Sequence, residues 1–179
     1  DRLRYLDASA PPRTTFLYNN VMYASAGYAV ELISGKSWQT FVTERLLQPL
    51  GMTSTTFTIA EMLEAPEPAV PYSERRDDGT LVRTPYYDDD GGFAPAGALN
   101  SSVADMSHWL IALMNGGQYH GAQVIPRSVI RETLAPAVAL PNPDLESRGW
   151  TEMLNGAYGM GRITAAYRVL NPEKLRYVG

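Results

Sequence analysis

The stretch from Val21 to Ser34 constrains the fold more than any other part of this sequence. Between Val21 and Ile33 only Ser25 and Glu31 are plainly polar, and apolar or small residues recur at helical spacing on every face. A helix that has no polar face must be covered on most of its sides. The pattern therefore predicts a central helix that is buried in the core.

The residues at the two ends of this helix fit its predicted bounds. Asn20 stands where an N-cap belongs, because an asparagine side chain can accept a hydrogen bond from a first-turn N–H. Gly35 follows the last turn, where glycine commonly ends a helix. Tyr18 places a phenol beside the helix start, where the unpaired N–H groups and the helix dipole favour negative charge.

Two hypotheses explain Tyr18 and Asn20 from the residues alone. In the structural hypothesis, Asn20 is only a cap, and Tyr18 is a packed aromatic side chain whose hydroxyl is satisfied. In the functional hypothesis, Tyr18 transfers protons and Asn20 binds a substrate through its amide. The local sequence is compatible with both.

Composition excludes several classes of protein. The 179 residues suffice for one domain with a core, and the net charge of −4 gives no reason to expect nucleic acid as a partner. Because no cysteine is present, thiolate metal sites are excluded. We also expect neither a metal nor another cofactor. No apolar run approaches the roughly 18–20 residues that span a bilayer. The chain begins at Asp1 rather than at methionine, which we interpret as a processed or cut N-terminus.

Further helices are predicted from caps and apolar spacing. Ser37 is the predicted cap of a helix from Trp38 to about Leu47. Residues 59–68 are expected to hold a short helical turn, and residues 127–134 another helix. Between these two segments, Ser102 and Asp105 resemble a capping box with Asp in place of Glu.

The helix that Ser102 opens is predicted to run to about Asn115. Its apolar stripe is expected to contain Met106, Trp109, Leu110 and Leu113. His108 lies roughly opposite this stripe, so we expect it at the surface.

Strand signals are fewer than helix signals. Residues 70–73 and 80–87 form a predicted hairpin around Asp77-Asp78-Gly79, since Asp-Gly is a strong turn signal. Residues 135–150 are expected to be irregular, and Tyr158 to Tyr167 is predicted as one isolated strand, with no clear partner in the residues after it. The predicted fold class is therefore mainly α with minor β (α+β).

Three local patterns look like ligand-binding motifs but lack the spacing that those motifs require. Gly35-Lys36-Ser37 ends like a phosphate-binding loop, but it follows a helix and lacks the first glycine of that motif. The run Asp88-Asp89-Asp90 has consecutive rather than alternating carboxylates, so a solvated acidic loop is favoured over a calcium loop. His108 and His120 do not have the spacing of a metal site.

Several blocks of the sequence resemble, in order and spacing, the middle of class C β-lactamases and of their DD-peptidase and esterase relatives. The similarity runs from about Pro12 to Tyr167. The matching blocks are residues 16–20 with the helix beyond, residues 35–37, residues 49–55, residues 95–106, residues 124–126 and residues 157–161.

This resemblance implies a Tyr-x-Asn motif at Tyr18 and Asn20. In that family the tyrosine takes part in proton transfer to and from a nucleophilic serine. The asparagine hydrogen-bonds the substrate and the active-site lysine. The implied substrate is a small molecule or peptide with an amide, ester or lactam bond. Family members are often exported, either periplasmic or extracellular.

The resemblance also implies a domain organisation. Residues 1–179 would form a single, partial β-lactamase-like domain. Its helical part would cover about residues 16–134, with the hairpin at about 69–87. The returning antiparallel sheet would begin with a strand at about 158–168.

The sequence departs from the family at the other catalytic motifs. No serine here has a lysine three residues on, so the nucleophile motif Ser-x-x-Lys is absent. A closing Lys-Thr-Gly or His-x-Gly motif is also missing, and Lys36 and Lys174 are the only lysines. We expect a hydrolase fragment that is inactive alone, the alternative being a non-catalytic helical binding module. Because the covering layer would be missing, we also expect self-association, with residues near 158–168 in the contact.

Overall fold

The computed structural model describes residues 5–86, 93–140 and 153–167. Contacts divide the chain into two units, each of which is described by itself. One unit is Asn19–Ile125, and the other combines Asp1–Tyr18 with Pro126–Gly179. The predicted single domain over residues 1–179 stays a prediction.

The predicted central helix is present as α1, Asn20–Ser34. Its N-cap is Asn19 rather than Asn20, because the Asn19 side-chain oxygen accepts a hydrogen bond from the Val21 N–H at 2.8 Å. The prediction of Asn20 as the cap was therefore wrong by one residue. The predicted end is confirmed, since Gly35 adopts a left-handed conformation with φ 67° and donates its N–H to the Glu31 carbonyl.

The prediction that α1 is covered on most sides was wrong for the described residues. Gly27 is its only buried residue, and the Ile33 side chain is 88% exposed. Gly27 is buried because Pro95 packs directly on it, and a Cβ added there would collide with the Pro95 ring. The apolar pattern of α1 shows that the helix is hydrophobic, but covering its outer face requires atoms that the described residues do not supply.

The helix predicted at Trp38–Leu47 begins as expected and continues further. The Ser37 side chain caps α2, Trp38–Val42, by accepting from the Thr40 N–H. A π-helical turn, Thr43–Leu47, follows and leads into α3, Gln48–Leu50, which ends at Gly51. Proline inside a helix lacks an N–H and crowds the carbonyl four residues earlier, so Pro49 accounts for the widened turn that precedes it.

The core of the Asn19–Ile125 unit lies around α2, α3 and α5, Val103–Met114. Its buried members are Val42, Leu47, Leu50, Met52 and Ala112. The bounds of α5 and its Ser102 cap agree with the sequence prediction, because the Ser102 hydroxyl accepts from the Asp105 N–H.

The predicted apolar stripe of α5 was right for Trp109 and Leu113, which are half-buried, and wrong for its other two residues. Its members Met106 and Leu110 are exposed, whereas Asp105 and Ala112 are the buried residues. The Asp105 carboxylate turns inward because the Ser54 N–H and the Thr55 hydroxyl donate to it at 2.8 and 2.7 Å. Those donors lie about fifty residues earlier in the chain, so no local pattern reports them.

The described part of this unit also contains two short hairpins, one short helix and a 3-10 turn, Ala94–Ala96. The predicted helical turn is α4, Ile59–Leu63, with a full capping box between Thr58 and Glu61. The predicted hairpin forms from β1, Tyr72–Glu74, and β2, Leu81–Arg83, paired antiparallel with Ser73 opposite Val82. Its expected last residue, Tyr87, and the Asp88–Asp90 run lie outside the described residues. A smaller hairpin pairs β3, Gln118–Tyr119, with β4, Ala122–Gln123.

The described part of the other unit contains α6, Arg127–Leu134, with the bounds that the sequence predicted. It also contains an antiparallel sheet in the order β5-β6-β7, formed by Val138–Ala139, Met153–Tyr158 and Ile163–Tyr167. The single strand predicted from Tyr158 to Tyr167 was wrong, because the chain turns between β6 and β7, where the Gly159 N–H donates to the Arg162 carbonyl.

The Tyr158–Tyr167 segment is not isolated, because its described partner strands, β5 and β6, precede β7 in the chain. Val138 of β5 pairs with Tyr158 of β6, so part of the segment 135–150, which was predicted to be irregular, is a strand. Residues 141–152 and residue 168 lie outside the described residues. The chain is thus mainly helical with small antiparallel sheets, which agrees with the predicted α+β class. Among the described residues, no helix combines the length and the apolar character that crossing a bilayer requires.

Candidate functional site at the start of α1

Asn19 and Asn20 lie side by side at the start of α1 and differ in their side-chain contacts. Asn19 adopts an extended backbone conformation (φ −148°, ψ 108°), from which its side chain reaches the Val21 N–H. Asn20 is the first helical residue and is exposed, and its side-chain amide makes no hydrogen bond within the described part of the chain. Since Asn19 satisfies the helix end, the capping explanation for Asn20 is removed.

Tyr18 directly precedes the capping residue. Its side chain is 65% exposed. The division between the two units falls between Tyr18 and Asn19, so Tyr18 and Asn20 belong to different units and are separated along the chain by Asn19 alone. The predicted proton-transfer residue and the predicted substrate-binding residue therefore flank the N-cap of α1.

The start of α1 is not neutralised by its own side chains. No acidic residue lies in the first turn. The positive end of a helix dipole then remains available to an anionic group, an interaction typically worth about 0.3–1 kcal/mol near the surface. A carboxamide at such a position can bind a carbonyl or a carboxylate of a ligand.

A phenol needs a neighbouring cation to act as a base, because its reference pKa is about 10. Lys36, the only lysine within the described ranges, forms an ion pair with Glu44. Lys36 follows the C-terminal end of α1, and the whole helix is roughly 22 Å long, so Lys36 lies far from the helix start. Lys36 is thus committed elsewhere and does not serve the start of this helix.

His108 differs from its predicted position, and His120 lies close to it. His108 is half-buried rather than at the surface, with its ring centroid 5.3 Å from that of Tyr119. Its Nδ1 atom is buried without a hydrogen-bond partner among the described residues. His120 packs edge-on against the same tyrosine at 4.3 Å. Sequence reasoning missed this group of rings, since it depends on the β3–β4 hairpin folding back on α5.

No group of three or more His, Cys, Asp or Glu side chains in the described part of the chain is placed to hold a metal ion. Asp105, the buried carboxylate, accepts hydrogen bonds from Ser54 and Thr55. Its role is to join the segment after α3 to the start of α5.

Comparison with known proteins assigns the chain to a family. The sequence model of the beta-lactamase family matches residues 1–177. The chain belongs to the beta-lactamase family. Among curated relatives, an unguisins hydrolase from Aspergillus violaceofuscus is 35% identical over 116 residues, which cover 63% of this chain and 20% of that protein. The chain therefore spans about a fifth of the length of that relative.

Solved structures of beta-lactamase-family and related proteins show the same fold. The octameric penicillin-binding protein homologue from Pyrococcus abyssi matches with a TM-score of 0.70 and 25% identity, over 89% of this chain and 32% of that one. A D-stereospecific amidohydrolase from Streptomyces matches with a TM-score of 0.61 and 18% identity, over 87% of this chain and 40% of that one. Both neighbours are much longer than these 179 residues.

Proposed function

We propose that this chain supplies the Tyr-x-Asn part of the catalytic site of a beta-lactamase-family serine hydrolase. Such an enzyme would cleave an amide, ester or lactam bond through an acyl-enzyme. Tyr18 would transfer the proton, and the Asn20 amide would hydrogen-bond the substrate near its reacting carbonyl. The observation that carries this proposal is that Asn19 caps α1 and leaves the exposed Asn20 amide uncommitted.

The chemistry assigns Tyr18 one task in each half of the reaction. During acylation the serine oxygen attacks the carbonyl carbon, and Tyr18 accepts the proton that the serine hydroxyl loses. Tyr18 then donates that proton to the leaving group as the old bond breaks. In deacylation a water molecule attacks the acyl carbon, Tyr18 accepts the proton that the water loses, and Tyr18 then donates it to the serine oxygen as the acyl–serine bond breaks. A cation beside the phenol must stabilise its phenolate, and the family's active-site lysine would do this.

The nucleophile in this proposal lies outside the 179 residues. None of the serines here is followed by a lysine at the third position, and neither Lys-Thr-Gly nor His-x-Gly occurs. The relatives are three to five times longer than the matched part, so they have room for these motifs elsewhere. In this proposal the present chain is the helical part of the fold with the start of the returning sheet, and it is inactive alone.

A non-catalytic binding module is the second candidate function. The observation that favours it is the apolar outer face of α1, on which Met22, Leu32 and Ile33 are exposed. A surface of that kind marks an interaction site in many proteins. The two candidates differ in one respect: only the hydrolase requires a Ser-x-x-Lys motif elsewhere in the same polypeptide.

The test is to sequence the full transcript and to assay the longest protein that contains these residues. An unguisin is the first substrate to try, since a relative with 35% identity is named as a hydrolase of unguisins. We expect a Ser-x-x-Lys motif in the longer protein. Tyr18→Phe should lower kcat by about 10²–10⁴-fold, because a positioned proton-transfer group is worth that much. The matched control is Tyr72→Phe, an exposed tyrosine on β1, which should leave kcat unchanged.

Two results would contradict the hydrolase proposal. A full-length protein without Ser-x-x-Lys would favour the binding module. An active protein in which Tyr18→Phe keeps its kcat would show that Tyr18 does not transfer the proton, whatever the role of Asn20.

A further inference from the structure

A small cleft lies beside the middle of α1, within the Asn19–Ile125 unit. It has a volume of about 160 Å³ and lies between α1, the start of α2 and the 3-10 turn Ala94–Ala96. Its polar and aromatic lining consists of Tyr28, Glu31, Trp38 and Gln39. Pockets for drug-sized ligands are typically about 300–1,000 Å³, so this cleft has room for only a small group.

Glu31 supplies the charge of this cleft. It is the only charged residue of α1 and is half-buried. One carboxylate oxygen accepts the Trp38 backbone N–H at 2.9 Å, and across the described ranges no basic side chain lies within ion-pair distance of it. A partly buried carboxylate with a single hydrogen bond and no counter-ion is stabilised by any cation that reaches it.

The aromatic side chains fit the same kind of ligand. Trp38 is held in place by Phe57, whose ring meets it edge-on with centroids 5.4 Å apart. Tyr28 lies three residues before Glu31, and side chains at that spacing share a helix face. The faces of tryptophan and tyrosine rings attract cations, and the Gln39 amide oxygen adds a hydrogen-bond acceptor.

We propose that this cleft binds a primary alkylammonium group, with its charge at Glu31 and its alkyl stem against Tyr28 and Trp38. The group is either a small free amine or the side chain of a lysine in a peptide. The proposal does not rest on the catalytic role of Tyr18 and Asn20. Glu31 lies eleven residues along α1 from Asn20, which is about 16 Å along the helix axis.

The test is a titration of the 179-residue chain with n-butylammonium chloride, followed through the NMR signal of the Trp38 indole N–H. We expect a saturable shift of this signal, and none with 1-butanol, which has a similar stem but no charge. Glu31→Gln should weaken binding by about tenfold or more, because it removes the charge. Glutamine keeps an oxygen that can accept from the Trp38 N–H, so the fold is expected to survive.

A matched control and a second variant keep this result interpretable. Glu44→Gln removes an exposed carboxylate that is already paired with Lys36, and it should change the affinity less than about twofold. If Glu31→Gln does not fold, Tyr28→Leu provides the test, because it removes a half-exposed ring and should weaken binding about threefold.

A second arm distinguishes the two sources of the ammonium group. If the ligand is a lysine side chain, Nα-acetyl-lysine amide binds at least as well as butylammonium, and its Nε-acetylated form does not bind. If the ligand is a free amine, butylammonium binds and the lysine derivative does not. A shift that is linear in ligand concentration, or equal affinities for the native chain and Glu31→Gln, would overturn the proposal.

Discussion

Two apolar regions of the Asn19–Ile125 unit differ in how far their side chains are buried. Around α2, α3 and α5, the chain closes a core in which Leu50 is completely buried. On α1, a helix of comparable apolar character leaves Ile33 88% exposed and buries only Gly27. Both regions are hydrophobic in sequence, and only the first finds its covering residues within the described chain.

This difference shows what hydrophobic periodicity reports. The period identifies the helix and its apolar faces, whereas burial depends on which other segments reach them. The relatives are several times longer than the matched region, so further residues are available there to cover the outer face of α1. We propose that this face corresponds to an interior surface in the longer relatives.

The largest expected effect of the open face is self-association of the 179-residue chain. Contiguous exposed apolar surface favours pairing with a second copy. Light scattering across a dilution series should give a mass of at least a dimer at high concentration. Ile33→Glu should shift the midpoint of this transition to higher concentration.

The contact predicted near residues 158–168 is tested by the same measurement. The described sheet leaves β7 at its edge, where an unpaired strand can template pairing. Ile163→Lys on β7 should weaken association if that edge forms the contact. A clean monomer at high concentration, with little binding of an apolar dye, would contradict self-association through either α1 or the β7 edge.

The next effect sharpens the contrast between core and open face. Leu50→Ala should lower the free energy of unfolding by about 2–5 kcal/mol, because it removes a fully buried side chain and leaves a cavity. Ile33→Ala, a comparable truncation on α1, should change it by no more than about 0.5 kcal/mol. Urea denaturation of both variants would measure this. Similar losses would mean that α1 is covered within this chain.

A smaller effect separates the two asparagines at the start of α1. Asn19→Ala should cost about 0.5–2 kcal/mol of unfolding free energy, because it removes the cap. Asn20→Ala should cost less than about 0.5 kcal/mol, since its side chain makes no hydrogen bond in the described chain. The reverse order in a denaturant series would restore Asn20 as the cap and remove the main support for its binding role.

The smallest effect depends on pH. The Phe57 N–H, and also Thr58, donate to the Glu61 carboxylate, which lowers its pKa below the ordinary value near 4.5. A lowered pKa in the folded state stabilises the fold above pH 4.5, and this contribution is lost as the pH falls through the folded value. Its size should be about 0.5 kcal/mol or less, because solvent screens this exposed group.

The measurement compares the native chain with Glu61→Gln at several pH values. The difference in unfolding free energy should be constant above about pH 5.5 and should shrink below pH 4.5. Glu64→Gln, at the other end of α4, is the matched control. If this difference grew as the pH fell, the Glu61 carboxylate would not stabilise the fold in the way proposed.

Local signals predicted the ends of the elements well. Ser37, Ser102 and Gly35 each act within four residues of their own position, so sequence alone identified them. Two adjacent asparagines offered equivalent caps at α1, and no local signal chose between them. The Tyr158–Tyr167 segment alternates like one strand, but the Gly159–Arg162 turn divides it.

Long-range contacts were beyond sequence reasoning. The inward turn of Asp105 depends on donors at Ser54 and Thr55, and the half-buried position of His108 depends on Tyr119. For the candidate site, family resemblance led to the prediction of Tyr18 and Asn20, which stays a prediction. The structure contributed the finding that Asn19 performs the capping task, which no spacing rule provides.

The central claim is that these residues carry one part of an acyl-transfer site and no nucleophile. Intact-mass spectrometry of the 179-residue chain after incubation with a fluorophosphonate, and separately with a penicillin, tests it most directly. Because Ser-x-x-Lys is absent, we predict that the mass stays unchanged with both reagents. A stoichiometric adduct on any serine of this chain would contradict the account.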